Sequence, residues 1–141
     1  MKKAIFILLA VFILAGAEMA QAQSSNSSTE SVTLGVNKGK KVFDSGLLVK
    51  VLMVVEDSRC PDGTTCVQAG NARLRLQVRK GIEPSQIIEL DTNGKNSASV
   101  AGYEVTLDSL TPTPKSGAPV KRKDYAATLT VQAAAPSTAK N

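Results

Sequence analysis

Apolar and polar residues alternate with a period of two along most of residues 32–132, which is typical of half-buried β-strands. The clearest example is 72–79, where small and branched apolar residues alternate with Arg73, Arg75, Gln77 and Arg79. Other strands are predicted at 32–36, 42–43, 47–55, 86–91, 99–110 and 125–132. In 47–55 both alternating sets are largely apolar, which predicts a central strand that is partly covered on each face.

Turn-forming residues separate these segments. Asp44-Ser45-Gly46 ends the second strand, Asp91-Thr92-Asn93-Gly94 predicts a hairpin-type turn, and 99–110 is expected to bend at Gly102. About seven short strands without an amphipathic helix indicate an all-β fold, either a single-domain antiparallel β-sandwich or a small barrel.

The N-terminal residues have a different pattern. Lys2 and Lys3 precede an apolar run from Ala4 to Gly16, and Ala20-Gln21-Ala22 forms a small-x-small cleavage site. The run is shorter than the roughly 20 residues of a membrane-spanning helix. We therefore predict a signal peptide at 1–22 and a secreted or periplasmic protein. The mature chain is expected to have no transmembrane span and no lipid-anchor cysteine.

The remaining chain is expected to contain one domain. Residues 23–31 are nearly all small and polar and predict a flexible leader, and 133–141 predict a flexible tail. The β-sandwich domain is then expected at 32–132.

The amino-acid composition says little about the fold but argues against several classes of chemistry. The chain has no His and no Trp, and its net charge of +5 falls to about +4 without Lys2, Lys3 and Glu18. The absence of His removes the commonest general base and metal ligand and the usual partner of a Ser or Cys nucleophile. We expect no enzymatic activity, no metal and no cofactor.

The two cysteines, Cys60 and Cys66, flank the turn-forming Pro61-Asp62-Gly63. In an oxidising compartment such a pair is expected to form a disulfide that braces a β–β connection, worth about 2 kcal/mol on the chain-entropy model. A redox role is the alternative, but the spacing is not the C-x-x-C of redox sites. A zinc site would lack ligands.

The cysteine segment also carries a resemblance. Asp57-Ser58-Arg59-Cys60-Pro61 followed by Cys66-Val67-x-Ala69-Gly70-Asn71 resembles a group of small uncharacterised bacterial secreted proteins and lipoproteins. The resemblance continues in Leu110-x-Pro112-x-Pro114 and in the segments around Tyr103 and Tyr125. It implies a disulfide-bearing β domain in the cell envelope and no particular activity. The chain departs from the group at Gln68, where the group usually has Trp.

Three groups of charged residues are candidate sites. Glu56, Asp57 and Asp62 could contribute to a Ca²⁺ site, although capping of turns or pairing of Asp57 with Arg59 is the simpler interpretation. Arg73, Arg75 and Arg79, with Lys80 nearby, form a candidate anion-binding face. The alternative is a solvated face paired across strands to Glu89, Glu104 or Asp108.

The third candidate is the long connection 111–124, which contains Pro112, Pro114 and the cluster Lys121-Arg122-Lys123. Long connections are enriched in binding residues, so this is a candidate partner loop, with an ordinary surface loop as the alternative.

These observations lead to a functional hypothesis. The sequence favours an exported non-catalytic envelope protein, a binding or structural module whose partner is an envelope protein or an anionic envelope polymer. Nucleic acid is not expected, since no aromatic residues interleave with the arginines. The alternative is a protease inhibitor that uses the disulfide-braced Cys60–Cys66 loop as a reactive segment.

Overall fold

The computed structural model describes residues 28–134, which form two antiparallel four-stranded sheets that pack as a sandwich. One sheet has the order β1-β8-β7-β6 and the other β2-β3-β4-β5. The strands are β1 (Thr29–Gly35), β2 (Gly39–Val42), β3 (Leu47–Asp57), β4 (Ala72–Lys80), β5 (Gln86–Asp91), β6 (Ser97–Val100), β7 (Tyr103–Thr111) and β8 (Ala126–Ala133). One 3₁₀ turn, η1, covers Arg122–Asp124. The predicted all-β sandwich is confirmed.

The core is aliphatic and lies between the sheets. It follows directly from the alternation, because each strand sends every second side chain inward. Each fully buried Leu or Val contributes about 1.5–3 kcal/mol relative to an exposed side chain. The largest fully buried residues are Leu47, Leu74, Leu76, Leu90, Leu129, Val42, Val49, Val51, Val78, Val105 and Val131.

The domain begins earlier than the composition indicates. Strand β1 starts at Thr29, inside the segment expected to be a flexible leader, and its residues pair with β8. The carboxylate of Glu30 holds this strand in place by accepting hydrogen bonds from the Phe43 backbone (2.9 Å) and from Lys40 (3.3 Å). These contacts are non-local, so the polar composition of the segment does not reveal them. Strand β8 ends at Ala133, and the segment predicted as a signal peptide and most of the predicted tail lie outside the described residues.

Eight strands are present where about seven were expected. Residues predicted as one bent strand form two, β6 and β7, joined by a tight hairpin at Ala101 and Gly102. Both residues have positive φ (52° and 79°), as a type I′ turn requires. The Asp91–Gly94 segment, expected to be a hairpin turn, instead leads from β5 in one sheet to β6 in the other.

Strand β3 is interior, as predicted, but its alternation is interrupted. The pairing with β4 shifts between Val51 and Met53 and again between Val54 and Glu56, and such bulges re-aim the side chains that follow. Val54 is consequently buried, whereas Met53, which strict alternation would place on the same face as Val51, is half-buried.

The topology places two long connections at the same end of the sandwich. The β3–β4 connection carries the cysteines and starts after the pair Asp57↔Ala72. The β7–β8 connection starts after the pair Thr111↔Ala126. Between residues 28 and 134, no helix has the length and apolar character needed to cross a membrane.

Candidate partner-binding surface

The cysteines form the predicted disulfide. Cys60 and Cys66 are joined, with their Cα atoms 6.0 Å apart. Inside the loop, Thr64 donates hydrogen bonds to the Pro61 carbonyl from its backbone nitrogen (3.2 Å) and from its hydroxyl (2.7 Å). Gly63 has a φ of +79°, a conformation that glycine adopts without steric cost. The sequence Pro-Asp-Gly therefore forms a compact turn across which the disulfide closes.

Arg59 ties this loop to the opposite sheet, and we call its side chain and its acceptors the Arg59 clamp. The guanidinium donates to both carboxylate oxygens of Asp57, through Nε to Oδ1 at 2.9 Å and through Nη2 to Oδ2 at 2.7 Å. It also donates to the carbonyl of Leu110, and to the carbonyl of Pro112 at 2.8 Å. One side chain thus joins the end of β3 to the end of β7. The side chains of Asp57 and Arg59 are only 7% and 13% exposed.

Tyr125, the residue just before β8, completes the clamp. Its hydroxyl donates to Oδ2 of Asp57 at 2.9 Å. Burial raises the pKa of Asp57, but the hydrogen bonds from Arg59 and Tyr125 together lower it by more than burial raises it. The pKa therefore lies below its usual value. Burial, followed by the neighbouring Asp57 carboxylate, raises the pKa of Tyr125 to about 12. At neutral pH the clamp therefore contains an ionised carboxylate, a guanidinium and a neutral phenol.

A second attachment lies beyond the clamp. The backbone nitrogen of Asp62 donates to the Pro114 carbonyl at 2.8 Å, and Asp62 forms an isolated bridge with Lys115. Lys115 in turn pairs with Ala118. The cysteine loop and the first part of the long connection therefore form one unit. We call Cys60–Ala69 together with residues 112–120 the paired-loop surface.

The base of the cysteine loop is fixed by Ser58 and Asn71. The Ser58 backbone nitrogen and hydroxyl both donate to the Asn71 carbonyl, at 2.7 and 2.9 Å, and the Asn71 nitrogen donates to the Ser58 hydroxyl at 3.1 Å. Gly70 is required here, because a Cβ atom would lie 1.5 Å from the Ser58 carbonyl oxygen. Sequence reasoning assigned no role to these three residues, although all belong to the segment that carries the resemblance.

The outer part of the paired-loop surface is open to solvent. Residues 62–69 are all exposed, Val67 fully so. Gln68 is exposed and lies outside the core. Between the two loops lies an open cleft of about 390 Å³, lined mainly by Asp57, Arg59, Pro61, Pro114, Pro119 and Tyr125. Both the cleft and the tip of the cysteine loop are accessible to another molecule.

The predicted arginine face is present but is largely neutralised. Arg73 pairs with Asp91 at 2.9 Å and with Glu56 at 3.8 Å, and Arg75 pairs with Glu89 at 2.6 Å. Of the three carboxylates that the sequence offered as partners for these arginines, only Glu89 forms an ion pair with one of them. Glu104 and Asp108 lie on β7 in the other sheet.

The other two predicted residues of this face, Arg79 and Lys80, lie on opposite sides of β4. Arg79 is exposed and has no carboxylate partner among residues 28–134. Lys80 lies on the opposite side of β4 from the arginines, with its ammonium 5.4 Å from the centre of the Tyr103 ring. The four residues therefore do not form a continuous anion-binding stripe.

The three acidic residues of the candidate Ca²⁺ site also separate. Glu56 pairs with Arg73, Asp57 belongs to the clamp, and Asp62 contacts the long connection through its backbone. In the part of the chain that the structure describes, no group of three or more acidic or cysteine side chains is arranged to hold a metal ion.

The candidate partner loop divides into two parts. Pro112 and Pro114 supply the carbonyls that receive Arg59 and Asp62. Lys121, Arg122 and Lys123 lie at the exposed η1 turn that precedes β8.

Comparisons of the chain with models of protein families, with curated proteins and with solved structures return no match. The functional assignment therefore depends on the geometry of these surfaces.

Proposed function

We propose that the protein is an exported, non-catalytic binding module that docks on an envelope protein through its paired-loop surface. One observation carries the proposal: the loop is exposed at its tip and fixed at its base. The disulfide, the Arg59 clamp and the Asp62–Pro114 hydrogen bond hold the backbone in place, while Val67 and its neighbours face solvent. A loop ordered before binding loses little conformational entropy on docking, which favours affinity.

Export is the premise of this proposal, and the N-terminal pattern of Lys2, Lys3 and a short apolar run supports it. A disulfide is compatible with an oxidising compartment. Mass measurement of the protein recovered outside the cytoplasm tests this step. A mature chain that starts at Gln23 is expected, and a full-length chain confined to the cytoplasm would contradict the proposal.

Site-specific photo-crosslinking tests the docking surface. A crosslinking amino acid at Val67 is compared with one at Ile82, which is equally exposed but lies in the β4–β5 connection at the other end of the sheet. A discrete adduct with an envelope protein is expected from the Val67 position only. Reduction of the disulfide before irradiation should diminish it. Equal adducts from the two positions, or none from Val67, would contradict the proposal.

Protease inhibition is the second candidate, favoured by the same disulfide-braced loop. A rigid loop with an exposed side chain, here Thr65, can occupy a protease active site without being released as a product. Titration of a panel of serine and cysteine proteases with the mature protein tests this candidate. Stoichiometric inhibition that is lost in a Thr65→Asp variant is expected. Rapid cleavage between Cys60 and Cys66 would show an ordinary substrate instead.

A further inference from the structure

Strand β2 covers only the first half of β3. Its last pair is Gly39↔Lys50, and the chain then crosses to the other sheet through Asn37, whose nitrogen donates to the Val51 carbonyl at 2.8 Å. The Val51 nitrogen donates in return to the Lys38 carbonyl at 3.0 Å. Beyond this point, among the described residues, no backbone group pairs with 52–56 on the side away from β4. Half of an otherwise central strand is therefore an open edge, which can accept an additional strand.

A cleft of about 400 Å³ lies beside this open edge. The bulge after Val51 contributes to it, because Leu52 and Met53 follow one another without the regular pairing and both border the cleft. Its lining is mostly apolar and includes two cationic side chains. The lining residues are Val36, Asn37, Leu52, Met53, Val54, Arg122 and Lys123.

The charged residues of η1, together with Lys121 just before it, divide between two clefts. Arg122 and Lys123 border the cleft beside β3. Lys121 and Asp124 border a second cleft, which Pro112 also lines. Arg122 and Lys123 are exposed, and neither has a carboxylate partner among residues 28–134. The cleft beside β3 thus combines an apolar floor with an uncompensated positive charge.

We propose that the open half of β3 binds an extended peptide that ends in an apolar residue and a free carboxylate. The peptide backbone adds a strand in line with β2, its terminal apolar side chain enters the cleft, and its carboxylate meets Arg122 and Lys123. Strand addition gives affinity through main-chain hydrogen bonds, and the pocket and the captured carboxylate give specificity. Because of its two bulges, the open edge at 52–56 lies opposite only residues 73–75 of β4. It therefore spans about 10 Å, which matches about three residues of the bound peptide.

The cleft favours this occupant over a free anion for a physical reason. A small anion would use the two cations but leave the apolar floor and the unpaired backbone edge exposed. The extended peptide uses all three features. The site is separate from the paired-loop surface, so the two proposals fail independently.

Titration of the isotope-labelled mature protein with three synthetic pentapeptides tests the proposal. The first is rich in Val and Leu with a free C-terminal carboxylate, the second is its C-terminal amide, and the third is N-methylated at alternate residues. The first should shift the amide resonances of Asn37, residues 52–54 and the η1 turn. The amide should bind about tenfold more weakly, as expected for loss of a charge-assisted contact. The N-methylated peptide should not bind.

Variants separate this site from general electrostatic attraction. Arg122→Gln and Lys123→Gln should each weaken the carboxylate peptide several-fold, whereas Lys121→Gln on the neighbouring cleft should leave its affinity unchanged. All three residues are exposed, so their far-UV circular dichroism should match the wild type. Equal binding of the N-methylated peptide, an equal effect of Lys121→Gln, or saturation of the cleft by dodecanoate without response to any peptide would overturn the proposal.

Discussion

Replacing Arg59 with alanine should destabilise the fold far more than replacing any surface arginine. The substitution removes four side-chain hydrogen bonds, two to Asp57 and one each to the carbonyls of Leu110 and Pro112. It leaves a carboxylate that is only 7% exposed with hydrogen bonds from the Arg59 backbone nitrogen and Tyr125 alone.

The magnitude follows from burial. Removing one partner of a buried ion pair costs about 3–5 kcal/mol because the other charge loses its compensation. A domain of this size is typically stable by only about 5–15 kcal/mol. At about 4 °C or more per kcal/mol, the melting temperature of Arg59→Ala should fall by about 12 °C or more.

Urea unfolding at neutral pH, followed by far-UV circular dichroism, measures the loss. Arg73→Ala is the matched control, since Arg73 also pairs with two carboxylates but its side chain is 39% exposed. Its loss of stability should be much smaller, because exposed ion pairs are screened by solvent. Arg59→Lys should lie between the two, because lysine keeps the charge without the planar fork. If Arg59→Ala costs no more than Arg73→Ala, the clamp does not hold the two sheets together and the reasoning is wrong.

Three further variants examine the same end of the sandwich. Gly70→Ala should prevent stable folding, because its Cβ would overlap the Ser58 carbonyl, whereas Gly35→Ala meets only ordinary contacts and should fold normally by circular dichroism. The double Cys→Ser variant should lose about 2 kcal/mol in urea unfolding while keeping its far-UV spectrum, and an unchanged stability would contradict the bracing role. The pKa of Asp57 is lowered in the folded state, so its stabilisation is present above the unfolded pKa of about 4 and is lost as the pH falls below it. In Asp57→Asn this acid-dependent part of the loss should disappear from a pH series of melting temperatures.

The sequence predicts the sheets well because the strand pleat itself imposes the period of two. Arg73 and Arg75 face solvent opposite Leu74 and Leu76 for that reason alone. The bulge at Leu52 is different, because 47–55 is apolar on both alternating sets and no local pattern marks the extra residue. The exit of the chain from β5 to the other sheet is likewise a property of the complete sandwich.

The candidate site was predictable in its local part only. The pairing of Asp57 with Arg59 is visible because the two residues are neighbours in sequence. The other acceptors of Arg59 are backbone carbonyls more than 50 residues away. Every residue has such a carbonyl, so the sequence does not show which ones accept the hydrogen bonds. The neutralisation of Arg73 and Arg75 required the register of β5, which fixes Asp91 and Glu89 opposite them.

The Arg59 clamp has a consequence for how the chain can diversify. Its bonds come from Asp57, Arg59 and Tyr125, whereas Thr65, Val67 and Gln68 make no hydrogen bond or ion pair within residues 28–134. Substitutions at these three positions should therefore change the exposed tip with little loss of folding stability. Under the proposed function, the binding preference could then change at the tip while the residues beneath it stay the same.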